Sequence, residues 1–183
     1  FPHNPTGHLP KKETFAAIAD LARRNGLLLF SDEVYRFLEY DAADRLPAAC
    51  EIYENGVSLG VMSKAFGLAG LRLGWAACRN RDVLGAMAAF KDYTTICTAA
   101  PSEFLAALAL RQRDAILERN LEIIRHNLSI LDAFFARHES LFSWQRPRAG
   151  PIAFPALRFA VASDDFCAGL LRDRGVLLAP GRL

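Results

Sequence analysis

The chain has 183 residues, with 22 lysines and arginines against 20 aspartates and glutamates, a formal net charge of +2. Hydrophobic residues make up 52% and charged residues 23%, a balance that buries roughly 70% of an unfolded chain's surface and excludes a disordered polymer. Arginine is scattered rather than clustered, so there is no basic footprint for nucleic acid and no polybasic membrane anchor, and no apolar run reaches the roughly 20 residues of a membrane span. The opening Phe1-Pro2-His3-Asn4 has no Met and leaves no room for a signal peptide before a turn-rich motif, as expected of a chain cut at its start. Cys50, Cys78, Cys97 and Cys167 lie 28, 19 and 70 residues apart. That spacing forms no C-x-x-C unit and reads as packed, reduced thiols of a cytoplasmic protein. His3, His8, His126 and His138 show no metal-ligand spacing either.

Pro10 suits a helix start, and Phe15, Ile18, Ala19 and Ala22 follow at helical spacing until Asn25-Gly26 stops them. Leu27-Leu28-Leu29-Phe30 is short and apolar on both faces, the pattern of a buried parallel strand, and it ends at Ser31-Asp32-Glu33. A second strand is expected from Val57 to Met62, ending at Ser63-Lys64, and a third from Leu71 to Cys78 after a loop through Gly67 and Gly70. Polar chemistry thus gathers just past strand ends, where open α/β sheets bind their ligands.

After Asn80 the pattern turns helical, with Val83, Leu84, Met87 and Phe90 on one face; Pro101 opens another helix bearing Phe104, Leu105, Leu108 and Leu110. Leu121, Ile124, Leu128, Leu131 and Phe135 then step by 3, 4, 3 and 4 residues, a seam suited to a core or to a second domain. Gln145 to Pro151 breaks that helix. Ile152 to Ala162 reads as one or two strands around Pro155, Ser163-Asp164-Asp165 as the cap of a helix ending at Arg174-Gly175, and Val176-Leu177-Leu178 as a last short strand.

Singly, the polar residues have plain explanations. Asn4-Pro5-Thr6-Gly7 is an ordinary turn, Asp32 can cap a helix, and a lone lysine such as Lys64 is usually a solvated surface group. The set is more informative: an acid at one strand end, Ser63-Lys64 at another, and Arg72 beyond a glycine loop. Asn4-Pro5-Thr6-Gly7, Ser31-Asp32-Glu33-Val34-Tyr35 and Ser63-Lys64-Ala65-Phe66-Gly67-Leu68-Ala69-Gly70-Leu71-Arg72-Leu73-Gly74 resemble, in order, three motifs of the fold-type I pyridoxal-phosphate (PLP) enzymes, specifically the class I/II aminotransferases. Ala100-Pro101-Ser102-Glu103 and the stretch from Gly175-Val176 to Pro180-Gly181 are similar to less diagnostic landmarks of that family.

The resemblance implies an α/β fold: a mostly parallel sheet with flanking helices, part of the family's large domain, followed by part of a small α+β C-terminal domain. The implied division is 1–119 for the cofactor-binding domain, 120–144 for a long linking helix and 145–183 for the start of the small domain. It also implies pyridoxal 5'-phosphate as cofactor, amino acid and 2-oxo acid substrates, a homodimer, and a cytoplasmic place in amino acid metabolism. Lys64 would form the Schiff base with the cofactor aldehyde, pass it to the substrate amine and then move the α-proton. Desolvation beside other cations favours the neutral amine that both tasks need. Asp32, as a buried carboxylate, would keep the pyridine nitrogen protonated and make the ring an electron sink. Tyr35 and Asn4 would hydrogen-bond the phenolic oxygen, while Arg72 and Ser63 would contact the phosphate.

Three departures from the family pattern qualify this reading. Val61 stands where many members carry another hydroxyl. The phosphate-cradling loop and the ring-stacking aromatic of the family would precede Phe1. The arginine that grips the substrate carboxylate would follow Leu183, and Arg182 matches no such position. Transamination is therefore weighed against the other reactions of the fold, such as C–S or β-elimination, ring closure, decarboxylation and acyl condensation, and against a non-catalytic interaction module.

Overall fold

The computed structural model describes residues 1–181. After the initial turn, helix α1 (Lys12–Arg24) leads into strand β1 (Leu29–Asp32); the short helix α2 (Ala49–Ile52) and strand β2 (Gly56–Val61) follow, and then strand β3 (Gly74–Cys78). In α1 the expected stripe buries Phe15, Ala19 and Ala22 but leaves Ile18 exposed, and the helix ends as anticipated at Asn25 and Gly26, the latter at φ +61°. Fully burying Phe15 contributes about 2 kcal/mol.

β1 pairs parallel with β2, from Leu29 against Gly56 to Asp32 against Leu59, and β2 pairs antiparallel with β3, from Val57 against Cys78 to Val61 against Gly74. The α/β class holds, with one parallel and one antiparallel pairing in this sheet. A parallel return needs a crossover of about a dozen residues or more, usually a helix. Between Val61 and Gly74 the chain makes only turns and the single 3-10 turn Ala69–Leu71, so β3 runs back. The expected burial of Leu27-Leu28-Leu29-Phe30 needs correction. Leu27, Leu28 and Phe30 are all more than half exposed: Leu27 and Leu28 precede β1, and Phe30 faces an open cleft.

The remaining helices are α3 (Arg81–Thr94), α4 (Ala100–Arg111), α5 (Arg113–Arg137) and α6 (Ser163–Arg174). Asn80 caps α3, its Oδ1 accepting from Asp82 N at 2.9 Å and Val83 N at 3.2 Å. In α4 the small Ala106 and Ala109 are buried while Phe104, Leu105, Leu108 and Leu110 stay exposed. The long helix expected within 120–144 starts earlier and stops sooner, at Arg113 and Arg137, and buries Leu117, Leu121, Leu128 and Phe135.

Beyond α5, among the described residues, only Phe142–Ser143 (β4) and Ala156–Leu157 (β5) pair as strands, and the rest of Ile152 to Ala162 is irregular, since Pro155 has no N–H to give a ladder. α6 ends at Gly175 at φ +68°, but Val176-Leu177-Leu178 forms no strand. A strand needs a partner, and no strand among the described residues lies alongside. The four cysteines are free thiols.

The main core joins Tyr35, Leu38, Met62, Ala65 and Phe66, from the segments after β1 and β2, to Ala106 and Ala109 of α4 and Leu117 and Leu121 of α5. A second cluster of Leu9, Phe15, Leu46, Ala49 and Ala149 sits under the first turn.

Candidate functional site at the strand ends

The pairing directions decide where the chemistry collects. β1 and β2 are parallel, so their carboxyl ends are neighbours, and β3, being antiparallel, begins where β2 ends. Asp32 at the end of β1, Ser63 and Lys64 past β2, and Arg72 just before β3 therefore meet at one edge of the sheet. A cleft of about 710 Å³ opens there, within the usual range for small-molecule sites of about 300–1,000 Å³. Asn4, Asp32, Tyr35, Ser63, Lys64 and Arg72 all line it.

At the end of β1 successive side chains alternate between cleft and interior. Glu33 N donates to Leu59 O at 3.0 Å, which extends the ladder by one residue. The Glu33 side chain is buried, and its Oε1 accepts from Ala49 N at 2.9 Å and from Ser58 Oγ at 2.8 Å, with Arg36 Nη1 3.6 Å from Oε2. Asp32 points the other way and is exposed, with Oδ1 accepting from Val34 N at 3.1 Å. The expectation of a buried carboxylate is thereby corrected: strand alternation gives the interior to Glu33 and the open cleft wall to Asp32.

Tyr35 is buried, and its Oη accepts a hydrogen bond from Asn4 Nδ2 at 3.3 Å, so the two residues expected to share one oxygen already meet. Lys64 is exposed rather than desolvated; its Nζ lies 5.9 Å from the centroid of the Tyr35 ring and makes no hydrogen bond or ion pair among the described residues. Its sequence neighbours Ala65 and Phe66 are 2% and 4% exposed, which fixes the backbone under a free side chain. Ser63 is half-buried beside it.

Arg72 adopts the left-handed conformation, φ 50° and ψ 39°, at the end of the 3-10 turn, and its Nη1 donates to Ala69 O at 3.0 Å. A non-glycine residue there costs about 1 kcal/mol. The turn delivers the guanidinium to the cleft and then lets β3 start at Gly74, whose added Cβ would meet Gly60 O at 2.8 Å.

His3, Phe30 and Val34 also line the cleft without having been assigned a site role from sequence, and Val61, where the family often has a hydroxyl, lines it too. Phe30 was legible in principle, because it stands two residues before Asp32 and a strand puts both on one face. His3 is held by Thr6, Nδ1 to Oγ1 at 2.8 Å. Glu33 is the larger omission. Nothing in the pattern around it separates a buried acid from a surface one, and its partners lie 16 and 25 residues away. Arg182 lies outside the described residues.

The cleft presents an amine, a carboxylate, a phenol–amide pair, a hydroxyl and a guanidinium, enough to hold a compact anionic ligand bearing an electrophilic carbon. Compared with known proteins, residues 1–183 match the family model for aminotransferase class I and II. The chain is 32% identical to capreomycidine synthase of Streptomyces vinaceus, covering all of this chain and 46% of that protein. In three dimensions it is similar to a PLP-dependent aminotransferase of Streptococcus suis, with 35% identity and a TM-score of 0.91 over 98% of this chain and 47% of that one. It is also similar to the PLP-dependent cyclase OrfR, with 31% identity and a TM-score of 0.90 over 100% of this chain and 49% of that one. The chain thus spans about half the length of the proteins it matches.

Proposed function

The chain belongs to the class I and II aminotransferases, and on that premise we propose that the whole protein moves an amino group between an amino acid and a 2-oxo acid, using the cleft at the strand ends to hold pyridoxal 5'-phosphate. The observation that carries this reading is the convergence of Asn4, Asp32, Tyr35, Ser63, Lys64 and Arg72 on one cleft.

The donor set fits the cofactor group by group. Its aldehyde calls for an amine, its ring nitrogen for a carboxylate, its phenolic oxygen for hydrogen-bond donors, and its phosphate for a guanidinium and a hydroxyl. When bound, the cofactor supplies a carbonyl carbon for amino groups and a ring that accepts electron density. Lys64 Nζ would hold it, and the same amine, exposed in the cleft, would serve as the base that moves the proton from the substrate's α-carbon. The Asp32 carboxylate keeps a proton on the ring nitrogen. Tyr35 Oη and Asn4 Nδ2 orient the ring through its oxygen, and Arg72 and Ser63 bind the phosphate.

We extend the same reading to a homodimer in the cytoplasm, acting in amino acid metabolism, with residues 1–119 serving the cofactor, 120–144 as a link and 145–183 opening a smaller domain. Among the described residues no helix is long and apolar enough to cross a membrane.

A second reading, ring closure on the same cofactor residues, is favoured by the likeness to a PLP-dependent cyclase. Incubating the full-length protein with an amino acid, 2-oxoglutarate and pyridoxal phosphate separates the readings. Glutamate formation that vanishes in Lys64→Ala supports transfer, ammonia without glutamate points to a lyase, and amino acid loss with neither product points to ring closure. No cofactor absorption band at all would leave a binding module.

A further inference from the structure

We propose that Asn120, at the end of the second turn of α5, is a positioning residue for Lys64. Lys64 Nζ has no hydrogen bond among the described residues, so its place in the cleft is set by the backbone of the turn beneath it. That turn closes on itself through Gly67 N donating to Lys64 O at 3.0 Å and Leu68 N donating to Met62 O at 2.9 Å. The carbonyl next to the lysine, that of Ala65, is taken from outside: Asn120 Nδ2 donates to it at 2.9 Å across 55 residues of sequence. The Asn120 amide also lies over Gly67, 3.5 Å from where a Cβ would stand, at a φ of +68°. On the same side of α5, Leu117 and Leu121 pack with the buried Ala65 and Phe66. One helix face therefore grips the lysine turn by apolar contact and by one directed bond.

The residue type supports this. Asparagine in a helix interior is about half a kcal/mol worse than alanine, because its amide competes for nearby backbone groups. Here the amide reaches a distant carbonyl instead. The position of the turn is proposed from these contacts alone; only its consequence for the cofactor rests on the function proposed above.

The test compares Asn120→Asp, which keeps the shape but turns an acceptor toward the Ala65 carbonyl, with Asn120→Ala in the full-length protein. Without cofactor, amide hydrogen exchange at Gly67 and Leu68 is expected to quicken about fivefold to tenfold, the scale of one lost hydrogen bond. Acylation of Lys64 by an amine-reactive reagent, located by peptide mass, is expected to change rate by a similar factor in both variants. With pyridoxal phosphate, the dissociation constant read from cofactor absorbance is expected to rise about tenfold. Unchanged exchange at Gly67 and Leu68 together with unchanged Lys64 labelling overturns the proposal, even if the melting temperature falls. Altered exchange and labelling in a protein that shows no cofactor band even as wild type would uphold the positioning and reject the function built on Lys64.

Discussion

At the ends of β1 and β2 three polar residues that line the cleft have a buried neighbour in sequence: Asp32 lies between Ser31 and Glu33, Ser63 follows Met62, and Lys64 precedes Ala65. From 151 to 181 no residue is buried at all. There the chain relies on half-exposed rings, with Phe142, Phe159 and Phe166 meeting edge to face at centroid distances of 5.9 to 6.4 Å. The difference separates two ways of fixing a segment. Burying the adjacent residue holds the backbone and leaves the functional side chain free, whereas edge contacts between wet rings add only about 0.5–1.5 kcal/mol per pair beyond the area they cover.

The largest test of that contrast is a pair of matched truncations. Phe66→Ala removes a ring 4% exposed from the core beneath Lys64, and the cost expected is about 3–4 kcal/mol. Phe159→Ala removes one 37% exposed, for about 1 kcal/mol. Denaturant unfolding of both should give midpoints well apart; similar losses would mean that the C-terminal segment is as consolidated as the strand ends.

Glu33→Ala comes next. It leaves Ala49 N and Ser58 Oγ without their acceptor and takes one of its partners from Arg36. A loss of about 3 kcal/mol is expected, and because Asp32 sits on the same strand end, cofactor binding should weaken with it. If equilibrium unfolding finds Glu33→Ala within about half a kcal/mol of wild type, buried sequence neighbours are not what holds the cleft wall.

A smaller effect distinguishes conformation from crowding. Gly7 has φ +64° and its Cβ would fall 2.3 Å from Pro147 Cβ, whereas Gly26 at φ +61° has nothing within 4 Å. Gly26→Ala is expected to cost about 1 kcal/mol from backbone strain alone. Gly7→Ala should cost about 2 kcal/mol or more, since Pro147 must also move. Exchange at Arg148 N, which donates to Gly7 O at 3.1 Å, should quicken only in the second.

Local signals in the sequence carried a good share of this. Asn25-Gly26 and Arg174-Gly175 mark helix ends because a left-handed residue is a local demand, and both helices end there. The motifs also located the six residues that share the cleft: Asp32 and Tyr35 at and after the end of β1, Ser63 and Lys64 after β2, Arg72 before β3 and Asn4 in the first turn. Non-local features were not legible. Val176 to Leu178 has a strand's composition but no partner, the antiparallel return of β3 follows from a short link rather than from its residues, and the buried role of Glu33 depends on Ala49 and Ser58. Asn120 is invisible for the same reason, its acceptor being 55 residues away.

The smallest expected effect tests the contact between the loop after β1 and the segment at Gly150. Tyr40 Oη donates to Gly150 O at 2.7 Å, and Gly150 N donates to Leu38 O at 2.9 Å, so the segment at Gly150 is pinned to the loop after β1. Burial pushes the Tyr40 phenol up to about 12, with Arg146 opposing and Asp132 adding to the rise. A tyrosine whose folded value lies above its unfolded one, near 10, contributes stability that is complete below about pH 10 and is lost as pH climbs toward about 12. Tyr40→Phe should therefore cost about 1 kcal/mol at neutral pH, and the gap between wild type and variant should close across that alkaline window. A gap of constant size from neutral pH upward would show that the hydroxyl keeps its proton no better in the folded chain than in the unfolded one.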